Sequence, residues 1–235
     1  GVVLMALFSW LILMLWPELQ GVAERRMRSQ TMQNARTIAS ALNAYQKLHG
    51  SYPPPVVYSA DNKPLYSWRV LILPHLGYHA LYEQFDLSQA WDSPTNFPLS
   101  QKMPQAFVAA SPSASQAINV GETNFVLLTG PGTLFPSSRT ALAVDKVGDL
   151  PDDTILVVET VNSIGWTQPG DIDVTGGVKI GSRSMIDIGG NHPGCVVFAT
   201  ADSQPHILSD NASAKTLDAL MSANGREAID WTKPD

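Results

Sequence analysis

The sequence predicts an α+β chain: a long N-terminal α-helix, first hydrophobic and then amphipathic, followed by a small domain of strands and short helices. Three observations predict it. Residues 1–16 are apolar apart from Ser9 and carry no charge. From Glu18 to His49, apolar residues recur at three- and four-residue spacing. After residue 66 come short helical patterns and then four strand-like runs separated by turn residues. At 235 residues the chain suits one domain and this helix, divided into residues 1–50 and 51–235.

In the apolar run, Val2, Val3, Leu4, Leu7, Phe8, Leu11, Leu13, Leu15 and Trp16 leave the helix no polar face, so it is read as a membrane or assembly helix. Sixteen residues span about 24 Å, short of the ~30 Å hydrocarbon core. Trp16-Pro17-Glu18 follows in place of the small residues of a cleaved signal. Either the run enters a membrane or residues precede Gly1. Pro17 lacks a donor and crowds the carbonyl of Leu13, at a cost of ~3 kcal/mol in a helix interior. A kink or melting point is therefore expected over residues 13–17.

Farther on, Val22, Ala35, Ile38, Ala39, Leu42 and Tyr45 are expected to form the docking stripe, with Arg28, Gln30, Gln33, Arg36 and Asn43 opposite. His49-Gly50 ends the helix, and Pro53-Pro54-Pro55 blocks its continuation. Residues 51–66, rich in Pro, Ser and Asn, read as a surface loop. Short helices are expected at 67–73, 80–85 and 97–103, with Trp68, Leu71, Leu81 and Phe85 facing a core. Residues 91–96 read as a turn, and 109–116 as a mobile low-complexity stretch. Strands are expected at 124–128, 154–161, 195–200 and 206–208, the last two joined as a hairpin through 201–205. Residues 213–222 form an amphipathic helix with Leu217, Leu220 and Met221 inward.

A net charge of −6 argues against nucleic acid as a bulk partner. The one dense basic cluster is Arg25, Arg26 and Arg28; the positive-inside rule would then favour a cytoplasmic C-terminus, in tension with an exported domain. Cys195 stands alone, which excludes an intrachain disulfide and a Cys-based zinc site; it is expected to be buried.

Four constellations invite chemistry. His75, His79 and Glu83 at i, i+4 and i+8 have the spacing of metal ligands on one helix face, but Pro74 and Gly77 interrupt that helix, so solvated or interfacial histidines are the reading and no metal is assigned. His192 and Asp202 suggest a base and its orienting carboxylate. No strained nucleophile turn accompanies them, so a structural role is expected: His192 bonding across to the hairpin turn and fixing its register. Asp145, Asp149, Asp152, Asp153, Asp171 and Asp173 lie in Gly/Pro-bearing loops; calcium is the one cofactor they would allow, and solvated carboxylates are the plainer reading. Gly130-Pro131-Gly132 lacks the Lys-Ser/Thr of a phosphate loop and reads as a turn.

Segments running from LWPELQGVAERRMRSQ and NARTIASALNAYQKLHGSYPPP through SWRVLILPHLGYHALYEQFDLSQAWDSPTN, QKMPQAF, TNFVLLTGPGTLFP and TILVVET to GGNHPG and FATADS resemble, in this order, the pilin-like proteins of planctomycete bacteria. Those proteins carry a prepilin-type N-terminus and a C-terminal H-x9-DG motif. The resemblance implies a pilin-like helix packed on a small, mostly antiparallel sheet, and assembly with itself and with other pilin-like subunits into a pilus- or pseudopilus-like filament. It also implies residence in the inner membrane before assembly and at the cell surface or in the periplasm afterwards. Three departures accompany it. The family's helix has a glutamate that would fall just before Gly1, so about five residues of the mature helix are expected upstream. Thr31 and Ala110 stand where the family often has cysteines. Ser203 stands where the motif has Gly.

The expected function is a structural subunit, not an enzyme, that polymerises through its N-terminal helix. The alternative is a membrane-anchored periplasmic or cell-surface binding domain that does not polymerise. A secreted hydrolase is disfavoured by the missing nucleophile.

Overall fold

Residues Val2–His49 form one helix, α1, of 48 residues, about 72 Å long at 1.5 Å per residue. The computed structural model describes residues 2–110, 121–143, 146–148, 152–181 and 187–225, with 2–9 and 11–17 described as helical backbone alone. The helix runs through Pro17 without interruption, so the expected melting point at 13–17 is not seen. Long helical flanks already fix the backbone on both sides, and propagation across one lost hydrogen bond costs less than nucleating twice. Among the described residues no helix is long and apolar enough to cross a membrane; the apolar side chains of 2–9 and 11–17 lie outside them.

The domain is α+β. Its main sheet has four antiparallel strands in the order β3-β5-β7-β8: β3 (Glu122–Val126), β5 (Ile155–Gly165), β7 (Cys195–Thr200) and β8 (Pro205–Ser209). All six residues of β7 are buried because both faces of the sheet are covered. On one face Val197 and Ala199 join Ala35, Ile38 and Leu42 of α1, with Trp68, Phe107 and Trp166. On the other, Val196 and Phe198 meet Leu217 and Leu220 of α4 (Ala214–Met221). Ser213 caps α4 by accepting the Thr216 N–H at 3.1 Å.

Two pairs of strands flank this sheet. β1 (Val56–Tyr58) and β2 (Pro64–Ser67) form an antiparallel hairpin where a loop was expected. Pro64 sits at a strand end, where its missing donor is tolerated. β4 (Leu128–Thr129) runs parallel to β6 (Ile172–Asp173), a pairing too short to leave a period in the sequence. Ser67 caps α2 (Trp68–Leu71), and short helices follow at Leu73–Leu76, α3 (His79–Tyr82), Phe97–Lys102 and Gln105–Phe107. Trp68, Leu81 and Phe85 are buried as expected. The low-complexity stretch 109–116 lies outside the described residues from 111 on.

The docking stripe of α1 begins later than its periodicity implied. Ala35, Ile38, Ala39 and Leu42 are buried, whereas Val22 is 55% exposed because it precedes the first contact with the domain. Asn43, assigned to the outer face, instead points into the seam: its Nδ2 donates to Ala201 O at 2.7 Å and Ser203 Oγ at 2.8 Å. Tyr52 OH donates to Asn43 Oδ1 at 2.8 Å, so the amide is fully engaged.

Candidate functional site

The seam between α1 and the sheet carries the densest set of polar groups whose chemistry needs explanation. It is built by the loop 187–195. Gly190 lies against β7 so closely that a Cβ there would fall 1.7 Å from Cys195 O, and Gly194 turns the chain at φ +71°. Between them the loop lifts His192 toward α1. The imidazole is fully buried and spans two residues of that helix: Nδ1 lies 2.7 Å from Glu24 Oε1 and Nε2 3.0 Å from Thr31 Oγ1. Burial pushes its pKa below the ordinary value, opposed by Glu24. A neutral ring fits: Nδ1–H donates to the Glu24 carboxylate and Nε2 accepts the Thr31 hydroxyl.

His192 and Asp202 are therefore not a couple, and His192 does not fix the hairpin turn. Asp202 serves its own turn, where Oδ1 accepts Thr200 Oγ1 at 2.6 Å and Gln204 N at 2.9 Å. Ser203 follows at φ +70°, the left-handed region that favours glycine. A serine there costs about 1 kcal/mol, offset by the bond that its Oγ accepts from Asn43. This accounts for the Gly-to-Ser departure in local terms.

Beneath His192 lies a carboxyl that no sequence motif marks. Glu159 of β5 is fully buried. The β5–β7 pairing ends at Val158↔Phe198, and the next free donor, Val197 N, bonds Glu159 Oε1 at 2.8 Å. Asn191 Nδ2 reaches Oε2 at 3.5 Å and Thr160 O at 3.0 Å. Desolvation raises the Glu159 pKa to about 7; hydrogen bonds from the Val197 backbone and from the side chain and backbone of Asn191 lower it, and Glu24 raises it further. Cys195 is a buried free thiol whose pKa is raised by burial and lowered by Arg28, so Arg28 also faces this seam and not the outer surface. A glutamate in the run ILVVET was the available signal, since a strand covered on both faces has no solvent for a charge.

Further polar ties fasten α1. Asn34 Nδ2 donates to Val108 O at 2.7 Å and Gln105 O at 3.3 Å, Thr31 Oγ1 lies 3.1 Å from Ala110 O, and Arg36 Nη2 donates to Gln204 Oε1 at 2.6 Å. His192→Ala removes the partner of Glu24 and Thr31 at once. It is expected to lower domain stability by about 1–3 kcal/mol and to reduce abundance, checked by thermal unfolding of the purified variant.

A second buried charge lies on the far side of the domain core. Arg69 of α2 is 0% exposed. Its guanidinium donates to Phe125 O and Ser67 Oγ and lies 3.4 Å from Asp171 Oδ1. That oxygen also accepts Trp68 Nε1 at 3.1 Å and Leu127 N at 2.8 Å. Desolvation raises Asp171 to about 6, with Arg69 and the two N–H donors pulling it down. Asp171 is thus a buried structural anion and not one of a set of solvated loop carboxylates. Asp173 binds its own loop through Thr175 N, Asp152 is exposed, and Asp145 and Asp149 lie outside the described residues. Two clefts, of about 340 and 680 Å3, meet at Gly170–Asp171.

The histidines with metal-ligand spacing sit apart from the seam. His75 meets Tyr45 edge-on at 6.0 Å, and burial with the nearby His49 and His79 lowers its pKa. Among the described residues no group of three His, Cys, Asp or Glu side chains is placed to hold a metal.

A fold of this kind, an α+β domain fastened along the C-terminal half of one long helix and carrying no exposed catalytic constellation among its described residues, defines the chain as a helix-borne domain. The chain belongs to the family described as proteins of unknown function (DUF1559), whose profile matches residues 23–187. No curated protein matches it. No solved structure matches it either.

Proposed function

We propose that the protein is a structural subunit of a type IV pilus-like or pseudopilus-like filament, polymerising through the N-terminal half of α1. The observation that carries this reading is the division of that helix. From Ala35 to Leu42 its apolar residues are buried in the domain, while Trp10, Leu19 and Val22 are 57, 62 and 55% exposed. A helix held rigidly by one half and apolar on the other has surface to bury against further copies. Head-to-tail contacts of one such helix on the next generate open filaments.

The resemblance to planctomycete pilin-like proteins is supported at one further point. Thr31 and Ala110, where those proteins often have cysteines, are in contact, with Thr31 Oγ1 3.1 Å from Ala110 O, so helix and domain meet at this point without a disulfide. On this reading the subunit resides in the inner membrane before assembly and in the filament afterwards, its partners are copies of itself and related subunits, and it has no catalytic role.

The test is a double variant, Leu19→Glu with Val22→Glu. Both positions are exposed, so domain stability is expected to change by less than about 0.5 kcal/mol. Filament yield, counted by electron microscopy, is expected to fall at least about tenfold, since each added charge would have to be buried at every subunit contact. Unchanged yield would remove the helix from the assembly surface.

The clefts at Asp171 favour the second reading, a membrane-anchored binding domain. Their volumes match those of small-molecule sites.

A further inference from the structure

The exposed half of α1 carries two charges that find no partner within the chain. Glu18 and Arg25 are both exposed, and among the described residues neither forms an ion pair or a hydrogen bond. Seven residues apart, they share one face of the helix, within about 20° of each other and about 10.5 Å apart along its axis. Val22 lies between them on that face and is 55% exposed. In the sequence the same three- and four-residue spacing continues through Leu15, Leu11, Phe8 and Leu4. This face is turned about 140° from Glu24, Thr31, Ile38 and Leu42, which meet the domain.

Gly21 sits beside the same stripe, between Glu18 and Arg25. Glycine weakens a helix interior relative to alanine, and nothing inside the chain requires it here. It is not among the glycines with positive φ. An added Cβ would meet only Arg25 Nη1, at 3.6 Å, an ordinary contact. The missing side chain therefore serves no packing within the subunit. What it does allow is the close approach of a second helix between the two charges.

We infer that Gly21 and Val22 seat a second copy of α1, parallel and shifted by seven residues, with Glu18 of one subunit paired to Arg25 of the next. The inference rests on the reading of α1 as the assembly helix and adds its register. Positions 8 and 15 of one copy then stand opposite 15 and 22 of the next, apolar against apolar. Successive subunits are offset by about 10.5 Å along the axis. Each pairing leaves one Glu18 and one Arg25 open at the two ends, so the contact repeats without closing. A slip to three or four residues would set Glu18 against Gly21 or Val22 and strand both charges where water is excluded. Paired charges thus fix the register. Antiparallel helices would satisfy the same charges twice and close as a dimer. Parallel packing follows from apolar halves that share one membrane.

The test counts fibres by electron microscopy from cells making the full chain or its charge variants. Glu18→Arg and Arg25→Glu are each expected to lower fibre yield at least about tenfold, and the two together to restore it to within about threefold of wild type. Thermal midpoints of the domain are expected to stay unchanged, because both positions are exposed. A second measurement reads the register itself. With Glu18→Cys and Arg25→Cys in one chain, mild oxidation of fibres is expected to give disulfide-linked ladders of three or more subunits, and either substitution alone to give none. Cβ atoms seven residues apart in one helix stand about 10.5 Å from each other, far beyond the ~4 Å of a disulfide, so every link joins two copies. Linked dimers without longer products mark the antiparallel pair and would overturn the inference, as would charge variants that form fibres like the wild type. A wild type without fibres would remove the assembly reading and the register with it.

Discussion

Arg69→Met is expected to destabilise the domain by about 3–5 kcal/mol, the largest effect of any single change of charge. Methionine fills much the same volume, so the loss is electrostatic. It leaves the Asp171 carboxylate in a site where its side chain is 4% exposed, with only Trp68 and Leu127 as donors, and it strips Phe125 O of the guanidinium. The loss has a pH signature. Asp171 already titrates near 6, and without Arg69 its pKa rises further, so mild acid neutralises the stranded anion. The destabilisation is therefore expected to be smaller at about pH 5 than at about pH 8. Adding Asp171→Asn should recover most of it, because removing both charges of a buried pair costs far less than removing one. Urea unfolding of the two variants measures all three expectations; equal losses at both pH values would contradict the account of this pair.

Trp166→Ala is expected to cost about 3–5 kcal/mol by a different route. The indole is fully buried, stacks on Phe107 at 5.9 Å and 22°, and receives the edge of Phe85 at 5.9 Å and 89°. Its Nε1 donates to Ser100 O at 2.7 Å, fastening β5's end to the Phe97–Lys102 turn. Alanine opens a cavity beside two aromatic rings, Phe85 and Phe107, and orphans a carbonyl. Trp166→Phe separates the two terms, since it keeps most of the ring contacts and loses the donor, for an expected cost of about 1–3 kcal/mol. Denaturation midpoints that shift at constant m-value would report the difference. If phenylalanine costs as much as alanine, the hydrogen bond and not the packing dominates.

Much of this architecture was legible in the residues because period and punctuation agreed. The stretch Cys195–Thr200, the hairpin after it and the helix over Leu217 and Leu220 follow directly from apolar runs bounded by turn residues. Elsewhere a local rule was outweighed by its context. Proline-rich composition concealed β1 and β2, where Pro64 needs no donor at a strand end. Pro17 did not break a helix with long flanks on each side. Asn43 looks like an outward polar residue, but the hairpin turn supplies a carbonyl and a hydroxyl that bring it inward.

The seam was half visible. The motif singles out His192 but suggests the wrong partner, because a ten-residue separation along the chain says nothing of what lies across the sheet. Glu24 and Thr31 reach it from more than 160 positions away. Arg69 in SWRVLIL and Glu159 in ILVVET did carry a signal: each is a lone charge inside an apolar run, and such a charge must find a buried partner. The partners themselves, Asp171 and the Asn191-His192 loop, are fixed only by the tertiary fold.

The central claim, assembly through α1, is tested most directly by electron microscopy of material sheared from the surface of cells that make the protein. The account predicts regular fibres with the helices of successive subunits packed at the centre and the α+β domains outside. Membrane-embedded monomers alone, with no fibres at any expression level, would contradict it.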